Sequence, residues 1–191
     1  EFWNGQHNIS LFDPNTLACP QWKDILSQLA DTKACIDYNQ GVDIRLLTDE
    51  KAEYLGRTKV SHIHFAYDRW QDREINEPRF RILKERTGWG RGKVSCYVLC
   101  NFDTTHEQDD SRIQFLRSLD FNPYIMIYNK GEFFDKRGRL KPKDELLKKF
   151  SEEQINHAIT VHQKQRWVNF KALFWKYPTF EDYKRECLRK E

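Results

Sequence analysis

Five short apolar runs in this chain each end in polar or charged residues. The runs and their exits read Leu11-Phe12-Asp13-Pro14-Asn15, Asp43-Ile44-Arg45-Leu46-Leu47, His64-Phe65-Ala66-Tyr67-Asp68, Leu99-Cys100-Asn101-Phe102-Asp103 and Met126-Ile127-Tyr128-Asn129. Parallel α/β folds build their sites outside the carboxyl ends of the strands. A single Asp after a strand is usually a helix cap or a turn former. The same chemistry at successive exits points instead to pieces of one polar binding site.

Other constellations favour plainer roles. His62 and His64 share a strand face, but no third ligand lies near them in sequence, so the pair reads as structural. His106-Glu107 reads as charge at a helix start, and His157 and His162 do not share a helix face well. Cys96 and Cys100 lie in one strand, about 13 Å apart at ~3.3 Å per residue, too far to share a metal. The cysteines number five and lack zinc-ligand spacing, so they read as reduced thiols used as small apolar side chains. That reading implies a cytoplasmic protein. Gly88-Trp89-Gly90-Arg91-Gly92 is rich in glycine, but it precedes a strand instead of a helix and reads as a turn.

The elements that must carry the exits follow from periodicity and capping. Strands are predicted at Asn8–Phe12, Cys35–Leu47, His62–Tyr67, Val94–Cys100 and Tyr124–Tyr128, and Gly41 predicts a bulge or a close backbone approach. Helices are predicted after Pro20, after Thr48 as N-cap, within the charged stretch Asp68–Arg86 on Phe80, Ile82 and Leu83, and on Ile113, Phe115, Leu116 and Leu119. Residues 130–143 read as a charged loop. Ser151 and Gln154 predict a capping box that opens one long helix running to Trp175, with a short helix after Thr179. The alternation predicts an α/β fold with a parallel sheet, either a partial barrel or a doubly wound sheet.

The chain has 191 residues, a net charge of +3 and 32% charged residues, which suits a soluble domain and does not by itself demand an anionic partner. No apolar run approaches the ~18 residues needed to span a bilayer. A start at Glu1, with Met126 as the only methionine, reads as a fragment or a processed product.

In order and content, the five exits resemble successive strands of radical S-adenosylmethionine (radical SAM) proteins, most closely an uncharacterised bacterial and phage-associated branch. The resemblance covers most of the chain from Asn8 onward and implies a partial (β/α) barrel with parallel strands. It matches strands two to six of that barrel across residues 1–140, with a C-terminal helical extension over 141–191. The first strand of the family, with the CxxxCxxC loop that holds a [4Fe–4S] cluster, has no counterpart here. The cluster would therefore belong to a parent protein, and this chain would be inactive alone.

The resemblance also implies roles for residues. Asp13 and Asn15 stand where the family has Gly-Gly-Glu and would meet the methionine amino group. Asp43 and Arg45 lie at the next exit; Arg45 would meet the methionine carboxylate, with an ion pair to Asp43 or Asp68 as its rival role. Asp68 would accept from the amine or the ribose hydroxyls. Asn101, Phe102 and Asp103 stand where backbone meets adenine, although the usual glycines are missing. Tyr128 and Asn129 would border adenine or substrate.

Two further expectations concern partners. With the first strand absent, the edge near Asn8 to Phe12 would be unpaired and would associate with another molecule unless Phe2 and Trp3 cover it. The alternative function is a non-catalytic module contacting nucleic acid or protein through the C-terminal helix, where Lys164, Arg166, Lys171 and Lys176 alternate with Trp167, Phe170, Phe174 and Trp175. The plainer reading packs those aromatics inward with the lysines in water. The substrate is not legible.

Overall fold

The computed structural model describes residues 3–12 and 15–188. Asp13 and Pro14, and with them the predicted role of Asp13, lie outside the described residues, as does Phe2.

Strands β1 (Asn8–Leu11), β2 (Cys35–Val42), β3 (Lys59–Ala66), β4 (Val94–Cys100) and β5 (Asn122–Ile127) form one sheet in the order β1-β2-β3-β4-β5. The pairs β1–β2, β2–β3 and β3–β4 are parallel. Right-handed crossovers between strands in unbroken order lie on one face of a sheet. A doubly wound sheet reverses its order at a switch point, and this one does not. The burial of β4 alternates strictly, with Val94, Cys96, Val98 and Cys100 buried and Ser95, Tyr97 and Leu99 only half-buried. One sheet face is therefore covered more completely than the other.

The helices between strands are α1 (Trp22–Thr32), α2 (Asp49–Arg57), α3 (Arg73–Thr87) and α4 (His106–Ser118). Thr48 caps α2 by accepting from the Lys51 amide at 3.2 Å, and Asp49 and Glu50 favour its positive end. In α3, Phe80 and Leu83 are buried while Ile82 is only partly so. The Gly88–Gly92 segment is a turn, closed by Lys93 N–H donating to Gly90 O at 2.9 Å.

Beyond β5 come α5 (Lys130–Phe133), α6 (Lys143–Leu146), α7 (Glu152–Asn169), α8 (Lys171–Lys176) and α9 (Phe180–Tyr183), then a π-helical turn at Lys184–Leu188. Ser151 and Gln154 form the predicted capping box. Thr179 caps α9 by accepting from the Asp182 amide at 3.1 Å.

Three elements differ from expectation. The second strand stops at Val42, and Ile44–Leu46 is a 3-10 turn held by the Asp43 carboxylate on the Arg45 amide. Gly41, at φ +84°, sits where the β2–β3 register shifts, as a bulge requires. The predicted helix to Trp175 breaks at Phe170, whose ψ of 90° is not helical. The 130–143 loop is ordered by α5 and by an antiparallel bridge between Phe134 and Leu140. Phe133, Phe134, Leu146, Ile155 and Ala158 form a common apolar cluster there.

The chain divides into two compact units, one of Glu1–Tyr97 with Ser111–Pro123, the other of Val98–Asp110 with Tyr124–Glu191. In the second unit, Phe133 and Phe134 after β5 share a core with residues of the C-terminal helices. Among the described residues, no helix is long and apolar enough to cross a membrane.

Candidate functional site

In the first unit a cavity of about 370 Å³ opens beyond the carboxyl ends of β1 to β3. That volume lies in the range of small-molecule sites, roughly 300–1,000 Å³. Four of the predicted site residues line it: Asn15, Asp43, Arg45 and Asp68. The short strand ends and the Gly41 bulge turn the chain sharply here, so side chains from successive exits converge.

Asp43 and Arg45 are locked together. The Arg45 guanidinium donates to both Asp43 oxygens, Nε to Oδ1 at 3.0 Å and Nη2 to Oδ2 at 2.9 Å, while its amide donates to Oδ1 at 2.9 Å. Burial pushes the Asp43 carboxyl up, but the Arg45 contacts and the charge of Arg79 outweigh it and hold the group below its ordinary range. Arg45 also faces Asp72 at 3.8 Å. Of the two rival partners expected for Arg45, Asp43 is the one engaged. The amide of Asp43 donates to Asn15 Oδ1 at 3.5 Å, tying the first exit to the second.

Four contributors were not legible in the sequence. Asn76 of α3 is 3% exposed and lines the cavity, and its Oδ1 has no hydrogen-bond partner. A buried amide oxygen left unsatisfied costs roughly 1–3 kcal/mol, so a ligand donor reaching it gains more than at the surface. Asp72 adds a carboxylate and Arg69 a cation. Arg112 of α4 is fully buried and donates from Nη1 to the carbonyls of Tyr67 and Asp68, both at 2.7 Å, fixing the β3 exit. An Asn within a charged helix and an Arg within an amphipathic one carry little signal by themselves.

The remaining predicted residues belong to the second unit. Asn101, Phe102, Asp103, Tyr128 and Asn129 line a cavity of about 510 Å³ there, together with His157. Asn101 and Asn129 both adopt left-handed backbone, φ +64° and +52°, which Asn tolerates better than most residues. The Phe102 and Tyr128 rings meet edge to face at 4.7 Å, and both are exposed. Asn101 Nδ2 donates to the Tyr128 carbonyl at 3.4 Å.

The histidines behave differently from expectation in one case. His106 is not simply helix-end charge: its ring stacks on His157 at 3.9 Å, and its Nδ1 is buried without a partner. His162 stacks on Phe134, so His157 and His162 have separate neighbours. Cys96 and Cys100 are buried, and burial keeps the Cys96 thiol far from ionisation. Among the described residues, no group of three or more His, Cys, Asp or Glu could hold a metal ion. No model of a known protein family matches the chain, and no curated protein matches it.

Proposed function

We propose that this chain is the S-adenosylmethionine-binding part of a radical enzyme, built as strands two to six of a partial barrel with a helical extension. The observation that carries this reading is the mixed charge of the cavity at the strand ends. Asp43, Asp68 and Asp72 stand beside Arg45 and Arg69, with the unsatisfied Asn76 oxygen among them. An amino-acid zwitterion needs acceptors for its ammonium and a donor for its carboxylate in one place. Asp68 and Asn76 would accept from the ammonium or ribose hydroxyls, and Arg45, oriented by Asp43, would hold the carboxylate. The unbroken strand order and the half-buried sheet face support the barrel. The cluster does not fit the described residues, which offer no ligand group for it. No step through it is assigned to this chain.

In a parent protein whose cluster delivers the electron, the sulfonium cofactor would supply radical chemistry. This chain's own part is to bind and orient the cofactor. Within the second unit, Asn101, Phe102, Asp103, Tyr128 and Asn129 line one cavity, where the exposed Phe102 and Tyr128 rings would meet a substrate.

Calorimetric titration with S-adenosylmethionine tests the reading. Wild type binds, and Asp68→Asn or Asn76→Ala binds about tenfold more weakly, the loss of one charge-assisted or buried hydrogen bond. Unchanged melting temperatures show that the variants fold. Absence of binding by wild type, or equal binding by both variants, overturns it.

Self-association through β1 belongs to the same proposal. β1 is the sheet's edge strand, and Phe12 beyond it is 69% exposed. Sedimentation velocity should show a concentration-dependent dimer that Ser10→Pro abolishes; a monomer at all concentrations removes this part.

A further inference from the structure

The second unit holds another cavity that the proposed function does not use. It has about 670 Å³, and Lys130, Lys136, Arg137 and Arg166 line it with no carboxylate among the lining residues. Phe170, at 60% exposure, and Tyr124, at 46%, add aromatic rings to the lining.

Both walls are built by directed hydrogen bonds. On one side α7 is fastened to β5. Asn169 Oδ1 accepts from the Ile125 amide at 2.7 Å, and its Nδ2 donates to the Ile125 carbonyl at 3.0 Å. Gln165 donates to the same carbonyl at 2.9 Å and accepts from Lys130 Nζ at 2.7 Å. On the other side the chain reverses between Phe134 and Leu140. Asp135 Oδ1 accepts from the amides of Arg137 and Arg139 at 2.8 and 2.9 Å, and Gly138 takes the left-handed conformation at φ +76°. The same carboxylate pairs with Arg139. The negative charge of Asp135 is thus spent on Arg139 and on the backbone.

Acidic side chains do not balance most of the lining's cations. Among the described residues, Lys136, Arg137 and Arg166 have no acidic partner within ion-pair distance. The half-buried His162 reports the resulting field: burial, then the charges of Lys130 and Arg166, hold its imidazole below the ordinary value. Like charges gathered without a counter-charge create a local positive potential that recruits an anion.

The aromatic-basic pattern of the C-terminal helix divides accordingly. Trp167 and Phe174 are core, and Lys164 is buried against Asp110 at 2.6 Å. Lys171 and Lys176 stay exposed, and Arg166 and Phe170 line this cavity. Phe170 is held at the break between α7 and α8, where its backbone leaves the helix.

We propose that this cavity binds single-stranded nucleic acid. Lys136, Arg137 and Arg166, with Lys130, neutralise successive phosphates, and one unpaired base stacks on Phe170. A charged groove with exposed aromatic faces is how strands are held without duplex structure, because every base has a π-face and a duplex hides it.

The test is fluorescence anisotropy of a labelled oligothymidylate with the full chain over a salt series. Log affinity should fall linearly with log salt, by about 0.7 per phosphate neutralised. Arg137→Gln and Arg166→Gln should each flatten that slope by about 0.7. Phe170→Ala should weaken binding at least about fivefold with the slope unchanged, and Phe170→Trp should restore it. Binding that ignores salt, or survives Phe170→Ala intact, overturns the proposal. Equal competition by tripolyphosphate would mark a small-anion site, and equal competition by duplex DNA a duplex surface; either overturns it too.

Discussion

The cavities of the two units treat charge in opposite ways. In the first unit, carboxylates and guanidiniums meet inside one cavity, and the Asp43–Arg45 pair is closed by three side-chain bonds. In the second, the basic cavity holds four cations and no carboxylate, and the neighbouring Asp135 is engaged elsewhere. Internally balanced charge suits a small zwitterion. Unbalanced charge suits a polyanion. Both are made from a composition that is nearly neutral as a whole, with 32 basic and 29 acidic residues. Net charge therefore says little about either site.

The contrast is sharpest where a charge is buried. Lys164 is 3% exposed and its ammonium lies 2.6 Å from Asp110. Asp110→Ala leaves that ammonium buried and should cost about 3 kcal/mol. Adding Lys164→Met should recover most of it. In the first unit, Arg45 is largely exposed, so Asp72→Ala should cost under ~1 kcal/mol. Urea unfolding measures both, and equal costs would break the comparison.

Acid should separate the regions next. His106 lies below its ordinary value of 6.5, because of burial and then the charges of His157 and Lys164. As pH falls through that value, the unfolded chain takes up a proton that the folded chain does not. The loss of stability therefore sets in as pH falls through the ordinary 6.5 and levels off below the folded value. His106→Gln should flatten the melting-temperature profile in that window. Asp43 has the opposite chemistry but the same sign: its stabilisation is present above the ordinary 3.8 and is lost only as pH falls toward the lower folded value. Asp43→Asn should leave the mildly acidic window unchanged.

The smallest expected effect concerns Phe170. At 60% exposure, its change to Ala should alter stability within about 0.5 kcal/mol, whereas Trp167→Ala in the adjoining core should cost about 3–5 kcal/mol. A large stability loss from Phe170→Ala would mean that its ring packs rather than presents itself.

Much of the fold was legible. Alternation of apolar runs with amphipathic helices gave the strand and helix segments, and Thr48, Ser151 and Thr179 marked helix starts because a side-chain oxygen at those positions satisfies an orphan amide. Gly41 marked the bulge through its left-handed φ. Such signals are local, so sequence carries them. The Phe170 break was not legible, because its apolar neighbours continue the helical period; the Trp167 and Phe174 rings pack together across it at 5.3 Å.

The candidate site divides in the same manner. Asn15, Asp43, Arg45 and Asp68 were legible because each follows a strand, and strand ends in a parallel sheet converge. Asn76, Asp72 and Arg112 were not, because a helix residue joins a strand-end site only through the angle at which its helix returns. The sequence by itself determined which residues end strands, which cap helices and which carry charge. Local pairs such as Asp43–Arg45 lie within reach of the sequence, whereas tertiary structure alone decided which distant charges meet, as Lys164 and Asp110 do. Such a pairing is a matter of a few ångströms between residues tens of positions apart, and neither residue type nor periodicity records that distance.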